Sequence, residues 1–409
     1  MVMTRRPVVA SRWVLHERRE RPRRVHQWAA YRSTIVLLDA VLGAGLLFNN
    51  YTVSGPLTGG IVLGLLVIAV GSCRRPKVRV EWGSLMVIVT VALYAFLIIE
   101  SRHNDMPWTQ RIAKFVILLG VAIVVAQRRV DYRSMILGAC VAIVVNVPLF
   151  YAGLATNQYP PYLTGFFGDK NVAGMYYALL GLLALLALPR KWHVPWLVFS
   201  LWALYLTGSR TSIAAFLMAV AWYYLRTKVS MTFRFALIAI AFWFLIYVED
   251  NWAQNSVYSD RAGDDQFRVA IEAATAQKVN GTPWFGLGLN QGFVLLGGVR
   301  RVFFHDSYDQ AFVEGGYPFL WWSLLAFVVL GLGVASSRMD VPFRLLVAEA
   351  GIVVILITAW KLGEVFMTTG AFFVLGIAIT ERFGRPIADP WFGRAGRGKH
   401  AWGDLVMRR

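Results

Sequence analysis

The chain has 409 residues, of which 57% are hydrophobic, 14% aromatic and only 16% charged, with a mean hydropathy of +0.54. So few polar groups could not cover the surface of a water-soluble domain, and the composition defines a polytopic membrane protein. The formal charge of +18, from 41 Lys and Arg against 23 Asp and Glu, would suggest nucleic acid in a soluble protein. Here an anionic lipid leaflet accounts for it, and no nucleic-acid partner is expected.

A basic arm over 1–33 opens the chain without apolar periodicity. Its length and the lack of a small-residue cleavage site argue against a removable signal peptide. Apolar segments that cross or nearly cross a hydrocarbon layer follow at about 34–49, 57–72, 82–99, 112–126, 134–152, 172–188, 192–207, 211–225 and 232–248, and then at 317–335, 344–360 and 364–380. A basic tail occupies 381–409, where Trp391, Phe392, Arg394, Arg397, Lys399 and Trp402 read as an anchor at the inner leaflet. The expected fold is therefore all-α, a polytopic transmembrane helix bundle of about twelve helices. A long, partly helical outer loop over 249–316 separates the ninth helix from the tenth. Cys73 and Cys140 offer no disulfide or metal framework.

Alternation of the segments puts roughly thirty of the 41 basic residues on one side and roughly eleven on the other. This bias makes both termini cytoplasmic and the 249–316 loop external. Against the bias stands Arg210, in the short turn Thr207-Gly208-Ser209-Arg210-Thr211-Ser212. It reads either as a functional charge at the mouth of two helices or as an ordinary turn arginine, with Ser209 or Thr211 capping the next helix. Lys361 and Glu364 have the spacing of a mutual ion pair at a helix end. Asp39 and Glu349 are expected to pair with Arg32 and Arg344, although an acid within a membrane segment always raises a functional question.

The long polar stretch is the expected working surface. Asp264 and Asp265 read as the acidic start of an amphipathic helix with Phe267, Ala270, Ile271 and Ala274 on its apolar stripe. Arg268 stands one turn in and either serves the site or bridges back to those acids. Thr282-Pro283-Trp284-Phe285-Gly286-Leu287-Gly288 is a turn whose glycines permit close backbone approach. Further on, Asp306 is the expected N-cap of a helix that continues through Tyr308, Ala311 and Phe312. His305 then lies beside the positive end of that helix, where the dipole favours the neutral imidazole. A Ser-His-Asp triad is a poor fit because adjacent residues cannot adopt its geometry. A metal site from His305, Asp306 and Asp309 is disfavoured by the scatter of the other histidines.

Four local patterns in order resemble the O-antigen ligase and O-antigen polymerase superfamily of bacterial membrane glycosyltransferases. They are Gly165-Phe166-Phe167-Gly168-Asp169-Lys170-Asn171, then Gly208-Ser209-Arg210, then Arg268 with Pro283-Trp284-Phe285-Gly286-Leu287-Gly288, and finally His305-Asp306-Ser307-Tyr308 with Glu314-Gly315-Gly316. The resemblance covers roughly residues 165–320. It departs at Asp306, where many members carry Asn, and at Arg300-Arg301, which have no counterpart role.

The resemblance implies transfer of a glycan from a polyprenyl (undecaprenyl) diphosphate carrier to a glycan, glycolipid or lipid-A-core acceptor, at the outer face of the bacterial cytoplasmic membrane. Arg210 and Arg268 would bind the diphosphate and His305 would be the essential histidine, with Asp306, Tyr308, Glu314, Asn171 and Arg301 in support. Two arginine forks near lipid could neutralise the leaving diphosphate without a metal or other cofactor, and His305 could accept the proton of the incoming hydroxyl. The competing class is a transporter or flippase for a lipid-linked sugar. The long loop at the three-quarter point, the lack of a detectable repeat and the external clustering of charge all weigh against it.

Overall fold

In a computed structural model of the chain, the described residues are 35–54, 57–155, 159–230, 232–234, 236, 240, 262–297, 300–334 and 340–387, with backbone alone for 262–268. The N-terminal arm, most of the segment at 232–248, the loop over 249–261 and the tail from 388 lie outside them. So do the side chains of Asp264, Asp265, Phe267 and Arg268. Two compact units divide the chain, Met1–Leu37 and Leu38–Arg409; of the first, only 35–37 are described.

The described residues are mostly helical. Their helices are α1 (Leu37–Ala44), α2 (Gly59–Ser72), α3 (Gly83–His103), α4 (Thr109–Ala126), α5 (Tyr132–Tyr151), α6 (Lys170–Leu183), α7 (His193–Thr207) and α8 (Arg210–Leu225). After the polar stretch begins come α9 (Ala262–Asn280), α10 (Ser307–Leu324), α11 (Phe343–Thr358) and α12 (Thr369–Phe383). A π-helical turn, Leu325–Leu332, prolongs α10. Among the described residues, short strands form three two-stranded antiparallel ribbons, β1 (Thr52–Ser54) with β2 (Leu57–Thr58), β3 (Val78–Val80) with β6 (Gly384–Pro386), and β4 (Phe293–Leu296) with β5 (Arg300–Phe303), the last of which matters for the site.

Among the described residues, four helices are long and apolar enough to cross a membrane: α3, α4, α5 and the span Ser307–Leu332. Helix α3 turns Leu85, Ile88, Val89, Val91 and Ile99 outward, a patch that water does not tolerate and lipid does. Other apolar segments of the sequence are apolar for a different reason. In α6 every residue from Val172 to Leu183 is buried, and α11 and α12 are nearly as enclosed. These helices have 14, 16 and 15 residues, shorter than the ~20 that span hydrocarbon. A helix apolar all round is the signature of a core position as much as of a lipid contact.

The packing is tightest where small residues let backbones meet, as at the α1–α5 crossing. A methyl added to Gly43 would strike the carbonyl of Met135, and one added to Gly138 the carbonyl of Ala40. One end of the bundle is held by two buried acids with partners from distant elements. Asp39 pairs with Arg74 at 2.7 Å and accepts the Asp131 N–H at 2.7 Å, while Arg32 lies outside the described residues. Glu349 pairs with Arg226 at 3.0 Å and Arg382 at 2.9 Å, and accepts from Trp222 Nε1 at 3.2 Å; Arg344 is not its partner. Sequence neighbours were the natural guess, but Arg226 and Arg382 arrive from the far ends of α8 and α12 and between them occupy both oxygens of the Glu349 carboxylate.

Candidate functional site

The opposite end of the bundle gathers the residues of the four sequence patterns. Asp169 caps α6, its carboxylate accepting from Asn171 N at 2.8 Å and Val172 N at 2.9 Å. Asn171 is thus the second residue of the first turn, half-buried. The α7–α8 turn lies beside it. Leu163 N donates to Leu206 O at 2.9 Å, Gly208 takes φ 62 against the Tyr162 ring, and Gly174 of α6 packs on Ser209 and Ser212. Ser209 occupies the N-cap position of α8 without a side-chain bond to the backbone. Its hydroxyl instead shares a 2.9 Å hydrogen bond with Ser212. Arg210 is the exposed first residue of α8, so the first two patterns are neighbours in space.

The third and fourth patterns also meet. Leu287 N donates to Val313 O at 2.7 Å and Tyr317 N to Trp284 O at 3.0 Å. This stitches the Pro283–Gly288 turn along the kink in α10, where Gly315 and Gly316 leave helical geometry. At φ 62, Gly316 lies so near Trp284 that an added methyl would strike its carbonyl. Residues 262–316 are accordingly a built layer of α9, the β4–β5 ribbon and the first turns of α10. On α9, among the residues whose side chains are described, Ile271 and Thr275 are buried and Ala274 packs beside Ile271 as the expected stripe has them, while Ala270 is exposed. Lys278 fastens α9 to the ribbon, donating to Gln291 O at 2.7 Å and Phe293 O at 2.8 Å. Burial and the nearby Arg301 charge hold its ammonium below the ordinary lysine pKa. Arg301 stacks over Phe293, 3.7 Å from the ring centroid, and donates to Asn290 O at 3.1 Å.

His305 is exposed at the junction of β5 and α10. Asp306 is the N-cap of α10, accepting from Tyr308 N at 2.7 Å and Asp309 N at 3.1 Å. Burial, and after it the Asp309 carboxylate, raises Asp306 from the usual carboxylate range to about 7. Ser307 anchors this corner to the α11–α12 connection: its N–H donates to Ala359 O, its hydroxyl donates to Leu362 O at 2.7 Å, and that hydroxyl accepts from Val365 N at 2.9 Å. Tyr308 is held by packing, its hydroxyl donating to Leu356 O at 2.9 Å and its ring edge-on to Phe366.

Glu314, buried on α10, accepts from Arg111 Nε at 3.1 Å and Nη2 at 3.0 Å. Arg111 also pairs with Glu364, which Lys114 approaches at 3.0 Å. The expected Lys361–Glu364 pair is therefore corrected. Glu364 has φ 66 in a run of turns, where a three-residue spacing no longer puts two side chains on one face, and Lys361 stands 4.0 Å from Glu272 instead. Arg111 and Lys114 went unnoticed in the sequence, although two cations at the start of an apolar run carry a signal of their own.

This cluster borders a cleft of about 130 Å³ of water-accessible space, lined among others by Asn49, Thr58, Lys114, Met175, Glu364 and Thr368. Gly363, in the same lining, packs against the carbonyl of Phe304 and the Cα of His305. Val172, the residue after the first pattern, and Leu362–Val365 of the α11–α12 connection, which hydrogen-bonds Ser307, are in the lining, while the patterned residues themselves are not. Among the described residues, no three His, Cys, Asp or Glu side chains converge as metal ligands do. No protein-family model matches the chain, and no curated protein matches its sequence.

Proposed function

We propose that the chain is a membrane glycosyltransferase of the O-antigen ligase or polymerase kind, passing a glycan from a polyprenyl diphosphate carrier to a hydroxyl acceptor. One observation carries the reading. The four patterns that resemble this superfamily are scattered over residues 165–316 yet adjoin in pairs, the first with the second and the third with the fourth, and leave Arg210 and His305 exposed.

In this reading about twelve helices cross the cytoplasmic membrane, both termini face the cytoplasm, and the cleft faces outward. Arg210, at the positive end of α8, and Arg268 bind the carrier diphosphate. His305 accepts the proton as the acceptor oxygen attacks the anomeric carbon, and the lipid diphosphate leaves. The polar cluster at one end of the bundle favours this reading over a transporter, whose site belongs near the midplane between repeats.

The deciding experiment is transfer of radiolabelled glycan from polyprenyl diphosphate to an acceptor by the purified full chain in liposomes. A flux of lipid-linked sugar without a glycan product would identify a transporter. For orientation, single cysteines introduced after removal of Cys73 and Cys140 are treated with an impermeant maleimide. Labelling at Asn290 in intact cells is expected, and labelling only after permeabilisation would overturn the outward cleft.

A further inference from the structure

We infer that the cleft between Asn49, Lys114 and Glu364 is a binding subsite for a single uncharged pyranose ring, an inference that rests on the glycosyltransferase reading and assigns its sugar contact. The argument begins with a donor deficit. Asn49 is 6% exposed and lines the cleft. Its Nδ2 donates to Asn50 Oδ1 at 3.0 Å, but its own Oδ1 has no hydrogen-bond partner. A buried amide oxygen without a partner is costly and unusual. What it lacks is a donor, which a hydroxyl supplies and a fully ionised phosphate does not.

Charge balance points the same way. The cations beside the cleft, Arg111 and Lys114, are matched by the carboxylates Glu314 and Glu364, each within an ion pair. No excess charge remains to draw an anion, whereas a paired ammonium and carboxylate still offer a donor and an acceptor to a polyol. The Thr58 hydroxyl adds to this, since Thr58 holds the N-cap position of α2 without a side-chain bond to the backbone. Val172, Met175 and Ile117 supply an apolar wall for the C–H face of a ring.

Size agrees as well. A water needs about 10–15 Å³ of such space, so the 130 Å³ of the cleft takes on the order of ten water-sized groups. A pyranose has about that many heavy atoms. Gly363, in the lining, packs against the Phe304 carbonyl, so the cleft and the backbone that carries the proposed base are adjacent.

The test uses the purified full chain in nanodiscs and saturation-transfer NMR with the methyl glycosides of glucose, galactose, mannose, rhamnose and N-acetylglucosamine, with sodium pyrophosphate as competitor. The expected result is saturation of at least one glycoside, not displaced by pyrophosphate, weakened about five- to tenfold by Asn49→Leu and unchanged by Gly281→Ala, a position outside the cleft. Thr58→Val, which removes no cap, is expected to weaken the same signal and serves where Asn49→Leu fails to fold. No signal from any glycoside, an equal signal in both variants, or displacement by pyrophosphate overturns the subsite; the first would mean that the cleft holds water alone. The two readings fail separately. Glycoside binding lost in Asn49→Leu, with no glycan transfer by the wild type, supports the subsite and removes the enzyme. Full transfer by Asn49→Leu together with loss in His305→Ala does the reverse.

Discussion

Arg111 and Glu314 are 203 positions apart in sequence, yet the guanidinium places Nε and Nη2 on one carboxylate oxygen at 3.1 and 3.0 Å. The pair ties α4 to α10 one residue before the Gly315-Gly316 kink. Side-chain exposures of 10% and 2% make it a buried pair, for which loss of one partner matters more than the net strength of the bridge. Arg111→Met is expected to destabilise the protein by about 3–5 kcal/mol, because two carboxylates lose their main counter-charge. Adding Glu314→Gln should restore part of that loss, with a coupling of about 0.5–3 kcal/mol. Thermal unfolding of the two single variants and the double variant in one detergent measures it, and strict additivity would refute the coupling.

The Gly316 contact gives a second prediction. An alanine there must hold φ 62 and ψ −160, a region essentially reserved for glycine, at about 1–3 kcal/mol, and also displace the Trp284 carbonyl, which is main chain and cannot rotate away. Gly316→Ala is expected to lose monodisperse protein or several degrees of unfolding midpoint. Gly281→Ala is the control, since its nearest neighbour would be an ordinary 3.6 Å contact, and it should behave as wild type. Equal behaviour of the two would mean that the turn does not depend on this approach.

Asp306 predicts a pH dependence. Its folded value of about 7 lies above the ~3.9 of an unfolded aspartate, so the folded protein favours the protonated carboxyl. The stabilising contribution is fully present below about pH 4 and is lost as pH rises through about 7. Asn at this position still caps a helix and cannot ionise. The midpoint of wild type is therefore expected to fall relative to Asp306→Asn between pH 5 and 8, with the variant the more stable at pH 8. Parallel curves across that range would show that Asp306 does not titrate there.

The sequence was most legible where a local rule governs the outcome. Asp306 caps its helix as a side-chain oxygen ahead of a helical run should. It was least legible where partners come from distant elements. No spacing rule links Glu349 to Arg226 and Arg382, or Glu364 to Arg111, because the distances are set by how helices dock. The apolar segments illustrate a third limit. Val172–Leu183 and Gly83–His103 are both apolar, yet the first is enclosed by protein and the second faces outward, and hydropathy cannot separate two surroundings of equal polarity. Arg111 and Lys114 were overlooked because the eye starts an apolar segment at Ile112.

If Arg210 and Arg268 neutralise the carrier diphosphate, each contributes charge-assisted hydrogen bonds worth about 1.5–3 kcal/mol. Arg210→Ala and Arg268→Ala are expected to lower glycan transfer about ten- to a hundredfold or more, and lysine at either position should rescue only part, since the planar fork is lost. EDTA should leave the rate within about twofold of the untreated enzyme, as fixed guanidinium charge replaces a divalent cation. Full activity in either alanine variant would remove that arginine from the site. Abolition by EDTA with recovery on adding Mg²⁺ would reassign the neutralising charge to a metal.

His305 stands one residue ahead of the Asp306 cap, exposed where an acceptor hydroxyl can approach. As a general base it is expected to lose about a hundredfold or more in turnover when replaced by alanine, with donor binding intact. Gln keeps a hydrogen-bonding side chain but takes up no proton, so His305→Gln should be nearly as slow. A pH limb near neutrality would not by itself identify the base, because Asp306 also ionises close to 7. The pH profile of Asp306→Asn resolves the ambiguity. A limb that survives in Asp306→Asn and vanishes with the residual rate of His305→Gln belongs to the imidazole. A limb abolished by Asp306→Asn, together with near-normal turnover in His305→Gln, would move the proton to the Asp306 carboxylate and leave His305 to position the acceptor.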